Sequence, residues 1–513
     1  MSERPDPVPQ ARAEAAQRTR RAFRLVFPGV MVAMFLAAAD QTILASALPT
    51  IASTLGGLAD LSWVVVGYLL AATVAAPLYG YLGDRFGRRR VLLGALAIFT
   101  AASVACALAP SFLWLVIFRT VQGLGGGGLM TLAQALIGEH VAPRERGRFA
   151  GYFATVFVLA STTGPVLGAY LTEHLSWRAV FFINLPLGVI AAALAMRVPH
   201  TPMARRAGPF RPDVVGALLF SAGTASLLFA LSSGGHRYPW LSWPMAALVA
   251  AAAASFVALV PWERGHRDPL IPLRLLAMPA IARSDAVVMC FGAALFSTIL
   301  YLPLYMQLGR GVGIGASGAL LLPITLSQVT SAAITGRLVT HTGHVNVFPK
   351  IGLTLATLAF VGLSWTVSGA ATHWVLALTV LVGAGLGMVM PPTQVTVQTA
   401  AGRGALGVAT ASISLSRAVG GAIGVSLVGA VLFALVDRSA DGASALLHQA
   451  MDGGAAYIAR LSAGERASMT ARVDEIYRVA FLVIAAITAI GALIAATVPK
   501  LDWNAVPDET DVA

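Results

Sequence analysis

Fourteen apolar runs, most of them about 20 residues long, divide this 513-residue chain. They lie near 27–50, 62–82, 91–109, 112–138, 149–170, 178–196, 213–232, 243–262, 281–307, 315–336, 347–368, 372–397, 408–436 and 477–498. At ~1.5 Å per residue, a helix of that length crosses the ~30 Å of bilayer hydrocarbon. No water satisfies a bare backbone in lipid, so such runs are expected to be helical. Composition agrees, since 57% of residues are hydrophobic and only 11% charged, against roughly 25% charged in soluble domains. The chain has too few polar residues to cover a water-facing surface. A soluble enzyme, a disordered chain and a nucleic-acid-binding module are therefore poor fits.

The net charge of +12 does not restore a nucleic-acid partner, because the charges cluster between apolar runs. With the N-terminus placed in the cytoplasm, 25 of the 35 Lys and Arg residues fall at cytoplasmic loops and tails. Eight fall outside, five of them in one long loop at 437–476, and Arg119 and Arg417 lie within spans. A miscounted span would invert this alternation downstream of it, so the bias supports fourteen crossings with both termini in the cytoplasm. The first apolar run is too long for the core of a cleaved signal and contains Asp40, so it is expected to remain as a span. Cys106 and Cys290 both lie in apolar runs, which supports neither a disulfide framework nor a thiolate metal site.

The loop after the second span reads Gly80-Tyr-Leu-Gly-Asp84-Arg85-Phe-Gly87-Arg88-Arg89-Arg90. Gly80 and Gly87 permit a tight turn, and Asp84 can face the N-terminal end of a neighbouring helix. Much later, Gly336 to His344 repeats the seven-residue glycine spacing, with Thr340 in the place of Asp84 and His341 and His344 in the places of Arg85 and Arg88. This weak internal repeat suggests two six-helix halves related by duplication.

On these residues the chain resembles the major facilitator superfamily, and most closely its 14-helix drug:proton antiporter branch. Gly80–Arg90 looks like the superfamily's loop signature, and Asp40–Pro49 resembles the branch's first-helix signature. Arg119-Thr-Val-Gln122-Gly123 is similar to the fourth-helix signature, and Ala160–Ala169, containing Gly164, Pro165 and Gly168, to the antiporter signature of the fifth helix. Trp177-Arg178 and Asn184-Leu-Pro186 resemble the start of the sixth helix. The resemblance implies a cytoplasmic tail at 1–26, a six-helix half at 27–196, two additional central helices at 213–262, a second half at 281–498 with an external loop at 437–476, and a cytoplasmic tail at 499–513. It further implies a rocking cycle between inward-open and outward-open states in the cytoplasmic (inner) membrane.

Asp40 is the most informative side chain. A carboxylate deep in a span costs roughly 2.5–3.5 kcal/mol on insertion scales and usually serves function. Counting residues places Asp40 and Arg119 both about 19 Å from the inner face, so the two can pair. Desolvation favours the neutral form of any buried acid, and a facing guanidinium favours the ionised one. Alternate wetting from the two sides could thus load and release a proton, making Asp40 and Arg119 the candidate proton-coupling residues. A fixed structural ion pair is the competing reading. Asp84 with Arg85 and Arg88 is expected to latch the cytoplasmic gate, against the blander reading of a solvated loop that sets topology. Glu139 and Asp285 are expected to snorkel at the interface. Arg417 has no deep acidic partner in the second half, which leaves a backbone carbonyl or an anionic ligand.

Gly123 to Gly128 contains a literal GxGxxG, but no strand precedes it, and close helix packing explains it better than a nucleotide. Gly164-Pro165 permits bending of the fifth helix. The candidate cavity residues are Gln41, Trp63, Tyr68, Gln122, Tyr301, Tyr305, Gln328, Gln394, Gln398 and Arg417. A single deep acid favours neutral or singly charged amphipathic cargo over dications. The leading functional expectation is export of amphipathic small molecules such as drugs, dyes and antibiotics, driven by the proton gradient without any cofactor. Export of an endogenous lipid, siderophore or other metabolite is the alternative, and an envelope adaptor partner is left open. No HExxH, GxSxG or paired-Cys motif supports an enzyme, and no metal is expected.

Overall fold

The computed structural model describes residues 23–55, 63–141, 145–199, 213–234, 238–266, 268–312, 321–366, 372–437 and 462–500. Each apolar run meets a helix. The first half holds α1 (Phe27–Leu55), α2 (Trp63–Phe86), α3 (Arg88–Ala107), α4 (Phe112–His140), α5 (Arg146–His174) and α6 (Ala179–Ala195). An inserted pair follows, α7 (Val214–Ser233) and α8 (Trp243–Gly265). The second half holds α9 (Pro279–Leu308), α10 (Leu321–Thr342), α11 (Val347–Thr366), α12 (His373–Ala401), α13 (Leu406–Asp437) and α14 (Ala463–Thr497).

Among the described residues, twelve of these are long and apolar enough to cross a membrane. The two exceptions are instructive. α6 is apolar but shorter than the others, and it is interrupted at Ile183. α10 has 22 residues, but Gln328, Arg337 and its many hydroxyl side chains dilute its apolarity.

Helix ends differ from the sequence expectation where polar residues continue a helix beyond the hydrocarbon. Residues 463–476, expected as part of the external loop, form the first turns of the 35-residue α14. Ser462 and Glu465 form a reciprocal capping box at its start, which supplies the nucleation that hydropathy does not register. The remainder of that loop (438–461), residues 1–22 of the N-terminal tail and 501–513 of the C-terminal tail lie outside the described residues.

The helix pairings repeat between the halves. In the first half α1 packs on α4, α5 and α6, α2 on α4, and α3 on α4 and α6; in the second α9 packs on α12, α13 and α14, α10 on α12, and α11 on α12 and α14. Without a hydrophobic driving force in lipid, small residues let such helices approach. In α4, a Cβ added at Gly125 would lie 2.6 Å from the Phe99 backbone of α3, and one at Gly127 would strike the Ala72 carbonyl of α2. The literal GxGxxG is thus a packing face.

The halves meet through α2 against α13 and α5 against α10. Gly80 and Gly407 bring the backbones of α2 and α13 together, and Gly147 and Gly336 do the same for α5 and α10. Both contacts lie at the end of the bundle that carries the Gly80–Arg90 loop. Gly87 and Gly343, the second glycines of the repeat, both have positive φ (94° and 71°), so each terminates its helix in a conformation other residues resist. The inserted pair lies beside this seam, with α7 touching α2 and α13. Tyr81, Phe220, Leu259, Leu270, Ile271 and Val408 form one cluster that joins it to both halves.

This seam has no room for side chains. Gly407→Val is expected to destabilise the purified protein by about 1–3 kcal/mol, the usual cost of overpacking. Gly94→Ala, where a Cβ would meet nothing within 4 Å, should leave the melting temperature unchanged or raise it slightly, since Ala favours a helix interior over Gly. Thermal unfolding in detergent measures both.

Candidate functional site

The middle of the first half contains a buried polar network. Arg119 Nη1 donates to Asp40 Oδ2 at 2.6 Å. Gln122 Nε2 and Asn184 Nδ2 both donate to Asp40 Oδ1, at 2.9 and 2.7 Å. Asp40 is 3% exposed and Arg119 1%. Four helices contribute, because Asp40 sits on α1, Arg119 and Gln122 on α4, Asn184 on α6 and Ser103 on α3. Arg119 and Gln122 are three residues apart and so share one helix face.

The network is closed on itself. Gln122 Oε1 accepts from Arg119 Nη1 at 2.9 Å, which fixes the amide's orientation. Asn184 also donates to Ser103 Oγ at 2.9 Å, and Ser103 donates to the Phe181 carbonyl at 2.9 Å. Arg119 Nε reaches the Val64 carbonyl at 3.3 Å, and its guanidinium lies 4.5 Å from the centre of the Tyr68 ring. Every hydrogen bond to Asp40 comes from an N–H donor. A buried charge pair needs further hydrogen bonds to be tolerable, and Arg119 has the Gln122 and Val64 oxygens besides Asp40.

Next to this network, α5 leans on α1. Gly164 and Gly168 pack against Thr42, Ile43 and Ser46, directly after Asp40 and Gln41. Thr42 Oγ1 donates across to the Ala160 carbonyl at 2.9 Å. Pro165 removes one helical hydrogen bond between the two glycines. The α5 signature therefore touches the turn of α1 that follows the carboxylate.

A second network closes the loop end. Asp84 on α2 accepts from the backbone N–H of Gly407 at 2.9 Å on each oxygen and from Val408 at 3.2 Å. These are orphan amides at the start of α13, in the other half, so Asp84 caps that helix and meets its positive dipole end. Arg88 binds Asp84 at 2.5 Å and Glu139 at 2.7 Å. Glu139 is thus the far end of an ion-pair chain rather than a snorkelling residue. Arg85 departs from the expected latch and lies 4.0 Å from Asp268, between α8 and α9. In the second half, Thr340 donates to its own Gly336 carbonyl at 3.0 Å. The repeat keeps its glycines there without a carboxylate clasp.

The candidate cavity residues divide. Tyr68 and Gln122, fully buried, belong to the Asp40 network. Trp63 stacks on Phe229 of α7 at 5.2 Å. Tyr301 donates to the Val425 carbonyl at 2.9 Å, and Tyr305 packs with Tyr477 and Phe481 in the core of the second half. Gln398 donates to Thr410 at 3.1 Å. Tyr68, Gln122, Tyr305 and Gln398 are buried in this state, because an inward-facing polar position in a bundle can equally serve helix packing. Gln41, Gln328 and Arg417 keep accessible surface. Asn184 and Ser103 escaped the sequence reading as site residues. The signal for Asn184 was present, an amide inside an otherwise apolar run; nothing distinguished Ser103 from other span hydroxyls.

Removing one partner from this network should cost more than removing both. Asp40→Leu is expected to destabilise the purified protein by about 3–5 kcal/mol by leaving Arg119 uncompensated. Asp40→Leu combined with Arg119→Leu should recover part of that loss. Thermal and denaturant unfolding of the two single variants and the double form the test.

Residues 30–425 match the family model for the Major Facilitator Superfamily. The chain is 34% identical over 410 residues to the multidrug transporter protein MdtP of Bacillus subtilis (strain 168), covering 80% of this chain and 75% of that one. It is 32% identical over 506 residues to the uncharacterized MFS-type transporter Rv1877 of Mycobacterium tuberculosis (strain ATCC 25618 / H37Rv), covering 95% and 71%. Among solved structures, that of the human organic anion transporter MFSD10 superposes with a TM-score of 0.63 at 18% identity, covering 92% of this chain and 99% of that one, a likeness of fold alone. With the repeated six-helix pairing, the glycine seams and the loop signature, these matches show that the chain belongs to the Major Facilitator Superfamily.

Proposed function

We propose that this chain is a proton-coupled antiporter that exports amphipathic small molecules across the cytoplasmic membrane by alternating access. The buried Asp40 carboxylate, held by Arg119, Gln122 and Asn184, carries this reading. The relatives named as multidrug transporters and efflux pumps support the direction and the class of cargo.

The chemistry follows from the pair. Protonating Asp40 removes its charge and leaves Arg119 as a buried cation without a counter-ion, which is strongly unfavourable in low dielectric. Admitting water between α1 and α4 relieves that cost, so protonation favours a state in which the site opens. Since α5 packs on the turn of α1 after Asp40, movement of α1 is transmitted to α5 and so to the α5–α10 seam.

The Asp84 clasp works at the other level. It ties the first half to the start of α13 and holds the loop end shut in this state. The positive-inside bias puts that end at the cytoplasm, so in this reading the Asp84 clasp is engaged whenever the cytoplasmic side is closed. Inward opening then requires the release of two backbone hydrogen-bond partners and the α13 dipole.

In reconstituted vesicles with an imposed pH gradient, wild-type protein is expected to move a dye such as rhodamine 6G against its gradient. Asp40→Asn preserves the side chain's size but cannot cycle a proton, and should abolish gradient-driven uptake while dye binding persists. Undiminished proton-driven transport by Asp40→Asn would remove the carboxylate from the mechanism.

A further inference from the structure

Arg417 sits about eleven residues into α13, roughly 16 Å along the helix from its start. Among the described residues it has no hydrogen bond, ion pair or ring contact, although it keeps part of its surface accessible. A guanidinium at that depth needs an anion, a carbonyl or water.

The packing of α13 tells where this side chain points. Ile423 and Leu427 mark its exposed apolar stripe, at 38% and 44% exposure. Gly420 and Gly424 face α9, against Met289 and Ala293. Val408 and Leu415 face α2 and the inserted pair. At about 100° per residue, Arg417 lies roughly 120° round from Ile423, among the α9-facing Gly420, Gly424 and Gly421, and its backbone packs on Gly292 of α9. Thr410, two turns earlier, occupies the same flank, and it meets Gln398 of α12. Arg417 therefore lies on the flank of α13 that meets α9 and, nearer the helix start, α12, away from the exposed Ile423–Leu427 stripe.

α12 supplies a second donor there. It runs antiparallel to α13 through the short turn at 402–405. From the Gln398–Thr410 contact, one turn back along α12 and one turn forward along α13 set Gln394 opposite Ser414, with Arg417 next. Gln394 is only 6% exposed, and its amide has no hydrogen-bond partner among the described residues. Phe296, 40% exposed, packs on Gly421 one turn beyond Arg417. Two unpaired N–H donor groups with an exposed aromatic ring above them form a site for one acidic group on an apolar body.

We propose that Arg417 and Gln394 form an anion-binding subsite that holds the carboxylate or other acidic group of an amphipathic cargo, with Phe296 against its apolar part. This deepens the export reading and rests on it for the word cargo. The subsite lies in the second half and the Asp40 network in the first, so cargo and proton need not compete for one residue.

The test compares two xanthene dyes of similar size, the anion fluorescein and the cation rhodamine 6G, binding to purified full-length protein by fluorescence polarisation. The wild type should bind fluorescein more tightly. Arg417→Gln should lower the fluorescein-to-rhodamine affinity ratio by about tenfold or more, the loss of a charge-assisted contact. Arg417→Lys should restore most of it, and Gln394→Leu should lower the ratio less than Arg417→Gln. A wild type that prefers rhodamine 6G overturns the proposal without any variant, and so does an unchanged ratio in a monodisperse Arg417→Gln. If the wild type binds fluorescein as expected but moves neither dye under a pH gradient, the export reading falls and the anion site stands. Gradient-driven rhodamine transport with an unchanged ratio in Arg417→Gln leaves export standing and removes the subsite.

Discussion

A charge inside a bilayer must be matched by charge or by directed dipoles, and the Asp40–Arg119 pair meets that demand with both side chains buried in the bundle. Four helices of the first half converge on it. Arg119 is satisfied by a carboxylate, an amide oxygen, a backbone carbonyl and an aromatic face. Such an arrangement is stable only as a whole. Neutralising one member turns the low dielectric from an advantage into a penalty.

The second constraint is the duplicated seam. Gly80 with Gly407 and Gly147 with Gly336 give both seams the same close backbone approach. Among the described residues only the first also carries a carboxylate clasp, because Asp84 has Thr340 as its counterpart. The fold thus has one seam held by charge on a helix terminus and one held by packing. The inserted pair is tied to the charged seam, through the cluster around Tyr81 and Val408 and through Arg85 with Asp268. Extra helices in a transporter of this kind need not line the pathway to influence it.

Much of the bundle was legible in the sequence because lipid imposes one rule on every span: apolar length with charge at the ends. The pairing of Asp40 with Arg119 followed from depth alone, and the orientation of Asp84 toward a helix terminus from the chemistry of a carboxylate beside orphan amides. What stayed hidden depends on which face of each helix meets its neighbour. Tyr305 and Gln398 look like cavity residues by type yet serve the core, and Glu139 looks like an interfacial anchor yet pairs with Arg88. The early start of α14 was missed because a capping box is a local polar device and hydropathy does not register it. The α10 helix shows the converse, a span whose polarity lowers its hydropathy while packing keeps it in the bundle.

The central claim is that Asp40 exchanges a proton when cargo engages. Purified wild-type protein in weakly buffered detergent, mixed with rhodamine 6G beside a pH-sensitive dye, reports this directly. Cargo binding should be accompanied by proton exchange with the solvent in the wild type and by none in Asp40→Asn, although both bind the dye. Equal proton exchange by the two proteins would contradict a coupling role for this carboxylate.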